Sequence, residues 1–400
     1  MRFATWSAIA LVASLVFTAP LIAAEGAVID SMDDVGTFSP PKEKGSLEAV
    51  DGKVGKAIKF TFADQNSGTF FMGHAHGAPE WDKAAGISFW VKGDGSDHLG
   101  GIQFVYGEDY AVRYTYAFPI DSTDWKKIVV PWRDMVSVLS HDAPEPFTPS
   151  KLGQIWFGKW FFWKDYAANS YAIDDIRLEP TIELDTKDYK PAGDPLARVW
   201  EKVKAGKPVT IVTIGDSLTD YDHWANKAVN WPTVLKNLIK EKYKSDVTIV
   251  NPAIGGSQMR QGEVIMPRWL KPAPTPDLVT ICYGFNDYDG GIRGAVFQKT
   301  GEDFIDRIRR ATQGKADVLL LTTAPAGTRW DEMAEMADAC KKAAAAKNAG
   351  TCDIYTAFHT AGKDNKDALY CTDKVHMGAP GHELIAKTIL EAIEKAGKGK

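Results

Sequence analysis

The residues most able to do chemistry stand in four short blocks of the second half of the chain. Gly215-Asp216-Ser217-Leu218 follows the apolar run Val209 to Ile214, and Asn251-Pro-Ala-Ile-Gly-Gly256 follows Val247 to Val250. Gly284-Phe-Asn286-Asp287 follows Leu278 to Cys282, and Asp373-Lys-Val-His376 precedes Gly381-His382 and a helical run to Ile393. A residue just past a strand of a parallel sheet faces the crevice where ligands bind. A serine there becomes a nucleophile when a histidine takes its proton and a carboxylate holds the imidazole in the right tautomer. Asp373 and His376, three residues apart on one loop, suit that pairing. Gly256 through its backbone amide and Asn286 through its side chain can each donate to the oxyanion of acyl transfer. Any one block alone reads as well as an ordinary turn or a surface histidine. Their combination points to acyl transfer by a serine.

The elements needed to position these residues are legible around them. The four short apolar runs Val209–Ile214, Val247–Val250, Leu278–Cys282 and Val318–Leu321 alternate with helix-length segments over Trp231–Tyr243, Gly301–Gln313 and Asp331–Lys347. Strands alternating with helices predict a parallel sheet covered on both faces. From Glu25 to about Pro180 the pattern differs. Gly86–Val91, Gly101–Tyr106, Val112–Phe118, Lys127–Val130 and Tyr171–Leu178 are short β runs separated by turn clusters such as Lys92-Gly-Asp-Gly-Ser-Asp97. That spacing without helical periods predicts a β-sandwich or jelly roll. Glu179 to Asp194, with two prolines and many charges, reads as the linker, giving domains at 25–180 and 195–400 around a connection at 181–194.

In order, spacing and strand context the four blocks resemble the SGNH (GDSL) hydrolase family over roughly residues 195–398. The resemblance implies a flavodoxin-like three-layer α/β/α fold. It also implies Ser217 as nucleophile, His376 as base, Asp373 as its orienting carboxylate, and an oxyanion hole from the amides of Ser217 and Gly256 with the Asn286 side chain. By the same resemblance His382 is structural, and Asp216 is read as a brace for the loop. Pro252 departs from the pattern by removing an amide donor in the second block, but leaves Gly256 intact. The loops Asp220–Asn230 with Trp224, Met259–Trp269, Tyr288–Arg293 and Gly327–Trp330 are expected to border the acyl pocket.

In the first half, the runs Gly86–Gly95, Asp124–Trp132 and Tyr171–Leu178 resemble the recurring segments of jelly-roll carbohydrate-binding modules. Seven of the 13 tryptophans lie there, densest in Ile155-Trp-Phe-Gly-Lys-Trp-Phe-Phe-Trp163. As a strand, that segment places Trp156 and Trp160 on one face and Trp163 on the other, so each is a candidate sugar contact or a buried core residue. Modules of this kind often hold a structural calcium. Asp174 and Asp175, with Asp30, Asp33 or Asp34, are its candidate ligands, and a solvated acidic edge is the alternative. His74-Ala-His76 lacks a visible third ligand and makes a poor metal site.

Composition bounds the rest. With 400 residues, 44% hydrophobic and 25% charged and a net charge of −5, the chain is neither disordered, collagenous nor a multi-span membrane protein. Residues 25–180 carry 15 basic against 23 acidic side chains, while 181–400 carry 31 against 29, so neither half offers a basic surface for nucleic acid. Met1-Arg2 followed by the apolar stretch Ala8–Ala24 is expected to be a secretory leader cut near Ala24, its apolar part of about 15 residues being short for a membrane span. Export permits disulfides, and the pairing of Cys282, Cys340, Cys352 and Cys371 stays open, although Cys282 ends a buried strand and is expected to be a free thiol. The sequence therefore predicts a secreted or periplasmic, monomeric serine esterase that needs no cofactor and removes O-acetyl groups from a polysaccharide such as acetylated xylan. A lipase-like or aryl-ester hydrolase and a non-catalytic polysaccharide-binding protein are the alternatives.

Overall fold

The computed structural model describes residues 26–39, 44–63, 69–107, 111–137, 147–159 and 167–396. The expected leader, Trp160 and Trp163 lie outside the described residues.

The first domain is built from twelve antiparallel strands among the described residues. They are β1 (Val28–Asp30), β2 (Phe38–Ser39), β3 (Gly45–Asp51), β4 (Lys56–Phe62), β5 (Thr69–His74) and β6 (Gly86–Gly93). β7 (Leu99–Tyr106), β8 (Arg113–Pro119), β9 (Lys126–Pro131), β10 (Val136–Ser137), β11 (Leu152–Lys159) and β12 (Asn169–Glu179) complete them. One sheet runs β3-β4-β12-β6-β9 with β1 beside β12, and the other runs β10-β8-β7-β11-β5-β2. Their inner faces close on an aromatic core. The Phe60 ring lies 5.0 Å from Phe157, 5.2 Å from Phe71 and 5.8 Å from Tyr171, so residues from both sheets interlock on it. This is the jelly-roll-like β domain expected from the alternation of apolar residues.

The second domain has a five-stranded parallel sheet ordered β14-β13-β15-β16-β17, from β13 (Val209–Gly215), β14 (Val247–Val250), β15 (Leu278–Cys282), β16 (Asp317–Leu321) and β17 (Gly350–Cys352). Side chains alternate along β13: Val209 and Ile211 pack on one helical layer, Val212 and Ile214 on the other. The first layer includes α1 (Ala197–Lys204) and α2 (Trp231–Tyr243). The short helices α3 (Met259–Val264), α4 (Pro267–Leu270) and α5 (Phe285–Asp289) precede α6 (Gly294–Ala311) and α7 (Ala334–Lys347), and α6 and α7 supply much of the second layer. α8 (Ile354–Ala361) and α9 (Ala379–Lys395) return to the first. α6 begins seven residues earlier than the sequence suggested, because Val296, Phe297 and Thr300 continue the buried stripe of Phe304, Ile305 and Ile308. All four cysteines are free thiols, and Cys282, Cys340 and Cys352 are buried. No described helix is long and apolar enough to cross a membrane.

The two domains share an apolar contact. Leu99, Ala117 and Val136 of the second β-sheet meet Ile254, Val264 and Ile265 of the parallel-sheet domain, all buried. In consequence every residue of β7 is buried, on the core side and on the outer side alike. Arg307 of α6 reaches across and donates to the carbonyls of Asp134 (2.9 Å) and Arg133 (2.7 Å). Beside this contact lies a cavity of about 330 Å³ lined in part by Tyr116, Asp134, Val264, Leu270 and Arg310. Glu263 of α3 borders it, buried, with one carboxylate oxygen lacking a hydrogen-bond partner among the described residues.

Burial, with Asp303 adding to it, pushes the Glu263 carboxyl well above its ordinary value of 4.5 despite Arg307, Arg260 and Arg310 nearby. The folded chain then binds a proton that the unfolded chain releases, so this residue makes stability fall as pH rises above about 4.5. Glu263→Gln is expected to raise the thermal midpoint at pH 8 and to leave it unchanged near pH 4, measured by calorimetry. Ile265→Ala, which empties part of the contact between domains, is expected to cost about 2–5 kcal/mol in denaturant unfolding.

Candidate active site

The turn after β13 carries the serine. Gly215 ends the strand where an added Cβ would meet the Thr219 side chain at 2.4 Å and the Cys282 carbonyl at 2.8 Å, so only glycine fits. Asp216 accepts from the Leu218 amide at 2.9 Å, and its carbonyl accepts from the amides of Thr219 and Asp220, both at 3.0 Å. Buried Asn226 ties the turn from outside by donating to the carbonyls of Ser217 (2.6 Å) and Asp220 (2.7 Å). The nucleophile candidate therefore sits on a braced turn at the carboxyl edge of the sheet, next to the point where strand order reverses between β13 and β15.

His376 reaches this turn from the loop before α9. Its Nε2 lies 3.0 Å from Ser217 Oγ, and its Nδ1 lies 2.6 Å from Asp373 Oδ2. Asp373 Oδ1 accepts from the backbone amides of His376 (3.0 Å) and Val375 (3.1 Å), which fixes the carboxylate against the ring. Between them Lys374 takes a left-handed φ of 57°, the bend that turns His376 back toward its partner. Partial burial would raise the Asp373 carboxyl, but the hydrogen bonds from the His376 ring and from the His376 and Val375 amides outweigh it and hold the carboxyl below the usual range. Asp373 thus stays ionised opposite the imidazole.

The second and third blocks converge on the same edge. Gly255 donates to Asp220 Oδ2 at 2.9 Å, and the next residue, Gly256, has φ +79°, with open space where a Cβ would stand. Among the described residues no protein acceptor takes the amide of Gly256 or that of Ser217. Asn286, on the first turn of α5, directs its side-chain amide to the Ser257 carbonyl (3.1 Å) and, at a long 3.3 Å, to Asp216 Oδ2. Gly284 before it has φ +144° and lies so close to Thr323 that no side chain could be accommodated. Ser217, Gly256 and Asn286 are thereby brought to one edge.

Two buried carboxyls brace these loops. Asp216 is pushed up to about 7 by burial, and Asp287, which accepts from the Met259 amide at 3.0 Å, is pushed up to about 7 for the same reason. His382 is wholly buried and, through burial first and the neighbouring His376 second, is held down at about 4, so it is neutral. The sequence reading gave no part to His223. Its ring stacks on His376 with centroids 4.1 Å apart at 28°, and the Trp224 ring stands 5.5 Å from His376 at 65°. Only the proximity of the loop Asp220–Asn230 to the serine block hinted at this pair.

The β-domain candidates fare differently. Trp156 is 5% exposed, with Phe70 stacked on it at 4.6 Å and 4° and the Arg113 guanidinium 4.7 Å from its ring centre. Its face is filled by protein and is not open to a sugar. Asp175, a candidate calcium ligand, receives Arg177 Nε on both oxygens at 2.8 and 2.7 Å. Asp174 takes the amides of Lys53 and Val54 on one oxygen and keeps the other buried without a partner. Asp30, Asp33 and Asp34 accept from the amides of Met32, Lys56 and Gly36. Among the described residues no group of three or more His, Cys, Asp or Glu side chains gathers closely enough to hold a metal by itself.

Comparison with known proteins agrees with both halves. Residues 213–384 match the GDSL-like lipase/acylhydrolase family, and residues 23–153 match the carbohydrate binding domain of family 11. No curated protein matches the chain. Among solved structures, a lipase/acylhydrolase from Enterococcus faecalis is similar at 25% identity over 48% of this chain and 96% of its own, with a TM-score of 0.39. An acetylxylan esterase from Geobacillus stearothermophilus is similar at 22% identity over the same shares, with a TM-score of 0.40. A family 11 carbohydrate-binding module from Clostridium thermocellum, solved with a β-1,3-1,4-mixed-linked tetrasaccharide, is similar at 19% identity over 40% of this chain and 98% of its own, with a TM-score of 0.34. The chain thus carries a GDSL-like lipase/acylhydrolase domain behind a family 11 carbohydrate binding domain.

Proposed function

We propose that the protein is a serine esterase that removes O-acetyl groups, or other short acyl groups, from a polysaccharide such as acetylated xylan, acting outside the cytoplasm. The observation that carries this reading is the line from Ser217 Oγ through His376 to Asp373, with contacts of 3.0 and 2.6 Å. In the first step His376 Nε2 takes the Ser217 proton as Oγ attacks the ester carbonyl. The imidazolium so formed is stabilised by ionised Asp373. In this reading the oxyanion is received by the amides of Ser217 and Gly256, both without a protein acceptor among the described residues, joined by the Asn286 amide once its long bond to Asp216 is given up. His376 then protonates the departing alkoxide, leaving Ser217 acylated. Water enters, His376 takes its proton, and the second tetrahedral intermediate collapses to carboxylic acid and free Ser217. Every step uses groups of the chain and water.

The carbohydrate binding domain supports a sugar as the alcohol half of the ester. Acetate release from acetylated xylan tests the whole reading. Ser217→Ala is expected to abolish release while leaving the thermal midpoint unchanged. Asp373→Asn, which keeps the shape but loses the charge that holds the imidazole, is expected to lower kcat by about 10³–10⁴-fold. Full activity in the Ser217 variant would remove the assigned nucleophile. A clear preference for long-chain aryl esters over acetylated xylan would replace the polysaccharide with a lipid-like substrate.

A further inference from the structure

Trp224 is 58% exposed, whereas the other large hydrophobic side chains left open among the described residues are Val28, Val54, Met72, Val129 and Leu184. An open indole is costly in water unless something covers it in use. Its backbone is held firmly. Trp224 begins a single 3₁₀ turn, Trp224–Asn226, which His223 caps, its ring accepting from the Ala225 amide. The turn ends on buried Asn226, the residue that clamps the carbonyls of Ser217 and Asp220. The exposed ring is therefore mounted on a turn clamped to the nucleophile turn.

Its place relative to His376 indicates what covers it. In an acyl transfer the histidine must reach the oxygen of the departing alcohol to return a proton, so the alcohol lies on the imidazole side of the scissile bond and the acyl chain lies away from it. The Trp224 ring stands 5.5 Å from the His376 ring and 5.4 Å from His223, which lies flat on His376. A ring one bond beyond the leaving oxygen would meet the indole. We propose that Trp224 is the platform on which the pyranose ring of the departing sugar stacks, and so sets specificity for the alcohol half of the ester rather than the size of the acyl pocket. This rests on the esterase reading above and names the part of the substrate that the loop recognises. A sugar presents CH groups on its faces, and these pack on an indole while its hydroxyls stay in water.

The test compares kcat/KM for a mono-O-acetylated xylotriose with that for ethyl acetate, whose alcohol has no ring, in wild type, Trp224→Ala and Trp224→Phe. The ratio of the two values is expected to fall about 5- to 10-fold in Trp224→Ala, the size of one lost ring contact, mostly through a higher KM for the sugar ester. Trp224→Phe is expected to recover part of the ratio. An unchanged ratio would overturn the proposal, whether both substrates lose rate together, as they would if Trp224 only supported His376, or neither does. Wild-type hydrolysis of ethyl acetate without hydrolysis of the sugar ester would overturn both the sugar platform and the polysaccharide substrate while leaving the triad standing. Hydrolysis of neither by the wild type would overturn the short-acyl esterase reading and the sugar platform with it.

Discussion

A single contact, Ser217 Oγ to His376 Nε2 at 3.0 Å, joins residues 159 positions apart, and most of the second domain can be understood as what holds its two ends. One end is the turn after β13, braced by the Asp216 carboxylate, the Asp216 carbonyl and the Asn226 amide. The other is the loop after Tyr370, pinned by the Tyr370–Met377 bridge, by the Cys371 amide on the His376 carbonyl at 2.8 Å and by α9 beyond it. A misplacement of about 1 Å at either end would cost the proton transfer much of its rate. The five-stranded sheet matters to the chemistry because it is stiff enough to keep these ends in register.

The β domain is tied into the same arrangement. Ile254 lies in the loop that leads to Gly256, its amide donates to the Gly215 carbonyl at 3.1 Å, and its side chain is buried against Leu99, Ala117 and Val136 of the β domain. The second β-sheet thus supports, through Ile254, Val264 and Ile265, the segment that offers a candidate oxyanion donor. A sheet face that might have stayed free is used for this support over β7 and β8, and near β11 it is filled by the Phe70–Trp156 stack. Apolar side chains of both domains are removed from water at the joint, which favours one relative placement of the domains over free hinging.

Much of this was legible in the sequence for a definite reason. Short apolar runs in a parallel sheet are buried on both faces, so Leu278–Cys282 could be read to the residue, and α2 has the bounds read for it, with Asn230 capping its start and Lys244 left-handed at its end. Three of the four blocks followed because each hangs from a strand end whose position was already clear, and the fourth because its aspartate and histidine stand three residues apart ahead of a helical run. What escaped reading depended on distant partners. Trp156 read equally as a sugar contact or a core residue, and Phe70 and Arg113, from two other strands, enclose it. Nor does the pattern show that Asp175 sits in a bulge, with φ +50°, where Arg177 pairs with it. Val264 and Ile265 lie in the segment expected to border the acyl pocket and instead pack, with Ile254, against the β domain, since pattern alone does not say against what a residue is buried.

The central claim is that Ser217 is an activated nucleophile and that its activation comes from His376. Intact mass spectrometry after incubation with a fluorophosphonate, followed by peptide mapping, tests it without choosing a substrate. The account predicts one adduct per chain, located on Ser217, in wild type and no adduct at the same time point in His376→Ala. Labelling that falls on another residue, or that proceeds at the wild-type rate without His376, would contradict it.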